Sequence, residues 1–480
     1  MTETITSSTR PRNRARPPRP LPAGSFVHPS NTHRRLDMNR SLISAFLTLS
    51  LAACGGGDGS STGEAPSADP LASSKAVVLV SQGPNLVSRW HDVATTTINV
   101  PSSPTGATPE ERVGGPDIAT VQIAVYDAVM AITGTHKPFA TTPVAPAAGA
   151  SMDAAISEAA YRVLLGLFPS RTANYQGMYD TEMAKIADPA KARGIALGAE
   201  VARATLALRA NDGRSVALPP FVSGTEPGQF RTTNPNVAGR VNPYIRPFVL
   251  ESVDQFRPEP PPALTSALYA TDLNEVKAYG GAVSALRTAA QFETARFHTE
   301  SPAVGVPRNL RRFATTQDTL ADNARLLAML TVVFSEVSLA CFDAKYHYNF
   351  WRPQTAIPLA DTDSNPATVA DSGWLPSVPT PNHPEYPAAH GCATSAIAET
   401  VRSFFGTKKV TFEWDSTVTN TMRRYATTDD IVREVFDARV LGGMHYRNSV
   451  EIGAHIGRKT AQWMMRDHFE PTSKEHPTKP

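Results

Sequence analysis

Leu326-Leu327-Ala328-Met329-Leu330-Thr331-Val332-Val333-Phe334-Ser335-Glu336-Val337-Ser338-Leu339-Ala340-Cys341 is the stretch from which the fold class is read. Leu326, Leu330, Val333, Val337 and Cys341 recur at three and four residues, the spacing that lines one face of an α-helix. Upstream, Ile118, Val121, Val125, Val129 and Ile132 repeat it, and Gly134 follows as a stop signal. The Ala/Leu/Val-rich segment 192–210 ends in Asn211-Asp212-Gly213, residues that tolerate the left-handed backbone of a helix end. Strand-like alternation is scarce and no internal repeat is found. The pattern predicts an all-α chain, and its 480 residues, 41% hydrophobic, suffice for a large core and two or three domains.

Two long Pro-rich passages separate the helices, residues 218–262 and 358–387. The first divides an N-terminal helical domain, 85–262, from a C-terminal domain, 263–470, which a tail, 471–480, follows. A structureless loop as long as the second is usually functional or disordered. It lies between two segments rich in chemistry, which favours function.

The first 37 residues carry seven Arg against Glu3 and Asp37, so with a total charge of +2 the remainder stands at −3. A nucleic-acid partner is therefore not expected, since the basic residues lie in a Pro/Arg-rich tail rather than on a recognition face. Residues 1–37 read as a disordered leader, or an over-extended start ahead of Met38. From Met38, Met-Asn-Arg, an apolar run from Leu42 to Leu51 and Leu51-Ala52-Ala53-Cys54 have the layout of an export signal. It resembles a bacterial lipoprotein signal (residues 38–54), with Cys54 as the lipidated first residue of a periplasmic or outer-membrane-associated protein. Residues 55–84 open with Gly, Ser, Asp and Pro and read as a flexible tether. Beyond Cys54 only Cys341 and Cys392 remain; outside the cytoplasm they are free to pair, and buried thiols are equally compatible.

Three segments carry the chemistry. In Asp343-Ala344-Lys345-Tyr346-His347-Tyr348-Asn349-Phe350-Trp351-Arg352-Pro353, Lys345 and Arg352 are two helical turns apart. On one helix they would project from the same face, about 10 Å apart, although Pro353 disfavours helix at Arg352 and turns the chain out near that point. In His383-Pro384-Glu385-Tyr386-Pro387-Ala388-Ala389-His390, His390 precedes a run of helical composition. Free N–H groups and the dipole at such a helix start attract anions. In Arg439-Val440-Leu441-Gly442-Gly443-Met444-His445-Tyr446-Arg447-Asn448-Ser449, the Gly pair ends a helix, and Asn448 with Glu451 has the N-cap box pattern of the next. Each segment alone has a bland reading as capping or solvated charge; together they suit a tetrahedral oxyanion.

Lys-x6-Arg-Pro, Pro-x-x-His and Arg-x5-His resemble the three-part signature of vanadium haloperoxidases and the type 2 phosphatidic acid phosphatase superfamily. The flanking residues, with Val125-Tyr126-Asp127-Ala128-Val129 and the 248–264 passage, are similar to bacterial vanadium-dependent haloperoxidase-like proteins over residues 85–470. The resemblance implies the helical-bundle fold of the vanadium chloroperoxidase and acid phosphatase type. It implies vanadate as cofactor, no haem, and hydrogen peroxide and halide as reactants. It also implies that His445 is the axial ligand to vanadium, or in a phosphatase the nucleophile that becomes phosphohistidine while a phosphate ester is hydrolysed. Lys345, Arg352, Arg439 and the Ala389 backbone N–H would hold the oxygens, and His390 would be the acid–base. His383 sits where bromoperoxidase-like members place a second His.

This chain departs from the family where Pro-Ser-Gly-His becomes Pro387-Ala388-Ala389-His390, which deletes a hydroxyl that normally meets the oxyanion. Ala438 replaces a Ser. Ser449 stands where phosphatases carry an acid, so the orientation of His445 must come from elsewhere. Three functions stay open: a vanadate-dependent haloperoxidase, favoured; a phosphomonoesterase; and a catalytically weakened surface lipoprotein.

Overall fold

The computed structural model describes residues 75–99, 114–145, 147–187 and 189–472; the leader, the signal with Cys54, most of the tether and the last eight residues lie outside the described residues. Thirteen helices carry the described part of the chain: α1 (Leu86–Asn99), α2 (Gly114–Thr133), α3 (Met152–Leu167), α4 (Gln176–Ala184), α5 (Ala190–Leu208), α6 (Ala267–Tyr279) and α7 (Ala289–Phe297). They continue with α8 (Pro302–Leu310), α9 (Leu320–Tyr348), α10 (Pro353–Ala356), α11 (Ala389–Phe405), α12 (Thr428–Leu441) and α13 (Arg447–Asp467). The all-α reading holds, and the described residues lie in one compact unit.

The stretch quoted first forms the middle of α9. Its N-cap Thr319 accepts from the Asp322 N–H, and Asn349, left-handed at φ 49°, closes its far end. Among the described residues α9 alone is long and apolar enough to cross a membrane, but it is largely buried, as a core helix is. α2, α11 and α13 pack around it. α11 and α13 approach closely because Gly453 and Gly457 bring no Cβ between them: one at 453 would stand 2.6 Å from Ala388 O, and one at 457 2.3 Å from Cys392 O. That crossing fixes the start of α11 against the start of α13. Cys341 of α9 and Cys392 of α11 are joined by a disulfide.

Two buried carboxylates tie extended passages to the bundle. Glu336, at the centre of α9, accepts from the N–H groups of Phe248, Val249 and Leu250, each at 2.8 Å. Asp127 of α2 does the same for Phe139, Ala140 and Thr141. Backbone donors in such irregular segments need a partner once buried. Replacing Glu336 by Ala orphans three of them at about 1–3 kcal/mol each. The expected outcome is a loss of at least ~3 kcal/mol in urea unfolding; a loss below ~1 kcal/mol would contradict the clamp.

The structure corrects three local readings. Arg352 does not share a helix with Lys345: α9 ends at Tyr348, the chain turns through left-handed Asn349, and Arg352 is extended ahead of α10. Asn448 does not cap α13, which begins two residues earlier than that cap implies, at Arg447 with Tyr446 as its N-cap; the Asn448 N–H donates instead to Asp272 of α6, 3.0 Å away. A small sheet was not expected. β2 (Val410–Ser416) pairs antiparallel with β3 (Thr421–Tyr425), and β1 (Val77–Val78), inside the stretch read as tether, pairs parallel with β2.

Candidate active site

Lys345, in the last turn of α9, is fully buried and donates to the carbonyls of Pro384 (3.0 Å) and Glu385 (2.9 Å). An ammonium has three protons, so one remains. Arg352 draws two loops together. Its Nε donates to His383 O, one terminal nitrogen to Met444 O and to His445 Nε2 (both 2.9 Å), and the other to His383 Nδ1 at 3.0 Å. Arg439, in the last turn of α12, donates to His298 O at 2.7 Å, while its Nε is buried with no partner.

The Arg-x5-His spacing has a simple cause. Gly442 caps α12, Gly443 takes φ +76°, and the N–H groups of Met444 and His445 return to Arg439 O. The turn brings His445 beside Arg439, just ahead of α13. A Cβ at 443 would meet Gly280 O at 2.4 Å, so this turn admits only Gly.

His445 is oriented by Glu385, which sequence reasoning missed. His445 Nδ1 lies 2.8 Å from Glu385 Oε1, and the Tyr446 N–H donates to the same oxygen. With a carboxylate at Nδ1 and a guanidinium N–H at Nε2, the bonds assign the neutral tautomer that is protonated at Nδ1, leaving the Nε2 lone pair for a ligand. Glu385 was visible as the one acid between His383 and His390, but its partner lies 60 residues away. Ser449, in the first turn of α13, is buried; its hydroxyl and Glu385 Oε2 have no hydrogen-bond partner, yet the hydroxyl is near enough to favour the carboxylate.

His390 is the second residue of α11, as the sequence suggested, and its Nε2 donates to Glu300 O at 3.1 Å. The 3.5 Å approach of Arg439 to the same nitrogen is then a contact only. Ala389 opens the helix, so its N–H is one of the unpaired donors of the first turn. His383 is buried beside Arg352, with its ring 5.1 Å from Phe342.

Electrostatics explain what the pocket lacks. Burial pushes Lys345 well below its usual value, and Arg352 and Arg439 add to the shift; Arg352 falls to about 10 and Arg439 to about 9. Burial and the same cations push His383, His390 and His445 far down, so all three are neutral. Glu385, pushed up to about 7 by burial against the pull of Arg352 and Lys345, is among the described residues the only carboxylate set against these three groups. These shifts favour the uncharged Lys345 amine, and an anion bound among the three groups would offset the charge and restore the Lys345 proton. The orphaned Arg439 Nε and the spare Lys345 proton suit an oxyanion such as vanadate.

Ala388, the N-cap of α11, makes no side-chain cap bond. Ser there supplies one, worth about 0.5–2 kcal/mol, and restores the missing hydroxyl. Ala388→Ser is expected to raise both melting temperature and vanadate affinity. A drop in both would show that the buried methyl is needed for packing.

Residues 325–472 match the family model of the VCPO second helical-bundle domain. The fold is similar to that of a bacterial vanadium-dependent iodoperoxidase (TM-score 0.64, 20% identity, 82% of this chain and 100% of that one). It is also similar to that of a bacterial vanadium-dependent chloroperoxidase in its holo form (TM-score 0.61, 14% identity, 79% and 96%). No curated protein matches. The described chain is mostly helical, as those folds are, and its residues 325–472 are similar to the VCPO second helical-bundle domain.

Proposed function

We propose that the protein is a vanadate-dependent haloperoxidase, oxidising halide with hydrogen peroxide. The observation that carries this reading is the buried trio Lys345, Arg352 and Arg439 around a neutral His445 whose Nδ1 is held by Glu385. With the three histidines neutral and Lys345 protonated beside a bound oxyanion, the three cations and Glu385 would leave an excess of two positive charges for a dianion to neutralise. Bound there, vanadate supplies a Lewis-acid centre that activates peroxide toward halide.

The residues of the chain do the rest. His445 Nε2, now in contact with Arg352, would hold the oxyanion's metal centre, and Glu385 holds the ring in place. Lys345, Arg352, Arg439 and the Ala389 N–H at the helix start would donate to its oxygens. His390, neutral and half-buried, would accept the peroxide proton and return it to the departing oxygen.

The same donors fit a phosphate ester, and the Glu385–His445 pair would equally orient a nucleophilic His445. Purified protein is to be assayed, with and without orthovanadate, for bromide oxidation by peroxide and for aryl phosphate hydrolysis. Vanadate-dependent bromide oxidation is expected; phosphate hydrolysis inhibited by vanadate, without bromide oxidation, would replace this reading by the phosphatase.

We further propose export and lipid anchoring at Cys54, on the Leu-Ala-Ala-Cys end of the apolar run. Protein made from Met38 in an export-competent bacterium is expected in the membrane fraction, and Cys54→Ser protein in the soluble one. Equal membrane association of both would refute the anchor.

A further inference from the structure

One short turn of chain holds two of the site residues at once. Just after α7, the backbone oxygen of His298 accepts from Arg439 at 2.7 Å, and that of Glu300 accepts from His390 Nε2 at 3.1 Å. Arg439 comes from α12 and His390 from α11, so the place of residues 298–300 sets how these two groups face the site together. Among the described residues no carboxylate pairs with Arg439. A neutral carbonyl aims the guanidinium without cancelling its charge, which stays available to an anion. The Glu300 bond likewise keeps the His390 proton on Nε2 and the basic lone pair on Nδ1.

The turn is pinned from α12. The His298 ring is buried edge-on to Phe297, and its Nε2 lies 2.7 Å from Glu434 Oε1. Glu434 stands five residues before Arg439 on the same helix, and also accepts from the Tyr425 hydroxyl (2.7 Å) and Arg423 (2.6 Å). Burial pushes this carboxyl up, but the bonds from His298, Tyr425 and Arg423 prevail and hold it at about 2. Burial also keeps His298 below its usual value, so the pair is a neutral imidazole donating to a carboxylate. α7 does not need this contact to end. The N–H groups of His298 and Thr299 already return to Thr294 O and Arg296 O, so the effect of the ring contact falls on the two carbonyls.

We propose that His298 and Glu434 are positioning residues of the site: their side-chain bond fixes the 298–300 turn, whose carbonyls aim Arg439 at the oxyanion and hold His390 by Nε2. Neither side chain is placed to touch the oxyanion; each acts through the turn. The proposal rests on the oxyanion site of the haloperoxidase reading, and it separates two effects. Misplacing Arg439 weakens anion binding, whereas misplacing His390 slows proton transfer on enzyme that is already loaded.

The test follows orthovanadate binding by isothermal titration, and bromide oxidation by peroxide at saturating vanadate, in the full chain. His298→Phe keeps a ring against Phe297 but offers Glu434 no N–H, and Glu434→Ala removes the acceptor. Each should weaken vanadate binding about tenfold or more, and slow turnover at saturating vanadate by a similar factor, the usual cost of losing a group that orients a ligand residue. The double variant should lose no more than the worse single one, because both break the same bond. His298→Gln sets an amide N–H where Nε2–H stands and should recover most of both losses. Melting temperature identifies a variant that has not folded, and the other then supplies the result. Unchanged vanadate affinity and turnover in either folded variant, whatever its melting temperature, would overturn the proposal. So would a His298→Gln protein as impaired as His298→Phe. Wild-type protein that binds vanadate without oxidising bromide would overturn the haloperoxidase reading alone, and the affinities would still decide the positioning. Wild-type protein that binds no vanadate would overturn both.

Discussion

His445→Ala is expected to reduce vanadate-dependent bromide oxidation to the uncatalysed rate. The substitution removes the Nε2 lone pair, the proposed bond to the metal, and leaves Arg352 without an acceptor it holds at 2.9 Å. Glu385 loses its Nδ1 partner in the same step. His390→Ala provides the contrast. The three cations and His445 remain, so vanadate should still bind, while turnover falls by about 10²–10⁴-fold, the usual contribution of a positioned acid–base. Isothermal titration with orthovanadate beside steady-state rates separates the two. Normal vanadate binding by His445→Ala would show that the ligand is elsewhere. A phosphohistidine trapped at position 445 in His390→Ala after incubation with an aryl phosphate would instead favour the phosphatase.

Glu385→Gln is expected to lower vanadate affinity or activity about 10–100-fold, the usual cost of losing the group that orients a metal-binding His. The amide oxygen still accepts from Nδ1–H, so what is lost is the negative charge between three cations. The pH dependence carries a sign. Glu385 titrates near 7, so the wild type should lose vanadate affinity as pH falls through that value and the carboxylate is protonated. His445, pushed well down, stays neutral over the same window. The Gln variant should lose this step. Stability runs the other way: a carboxyl raised from 4.5 to about 7 in the folded state contributes stability that is full below 4.5 and lost as pH rises through 7. A wild-type affinity flat between pH 6 and 8 would contradict the assigned role of Glu385.

The apolar spacing of residues 326–341 was enough to place α9, and Gly134 and Asn211-Asp212-Gly213 marked helix ends that the structure keeps. Arg352 was harder. Its seven-residue distance from Lys345 suggested one helical face, whereas Pro353 keeps the preceding residue out of the α region and left-handed Asn349 ends the helix three residues sooner. The two cations meet through loop geometry instead. The β2–β3 hairpin was overlooked although Val410, Phe412 and Trp414 alternate and Asn420 takes the left-handed turn; three apolar positions are a faint period. Glu385 is the instructive miss. The departure at Ser449 implied that some other group must orient His445, but a bond across 60 residues leaves no local pattern.

The central claim is that Lys345, Arg352, Arg439 and His445 together form one vanadate site. A crystal of the protein soaked in orthovanadate tests it most directly. The account predicts vanadium bonded to His445 Nε2, with Lys345, Arg352 and Arg439 donating to its oxygens and Glu385 still on Nδ1. Vanadium at another residue, or a cradle left empty at saturating vanadate, would contradict it.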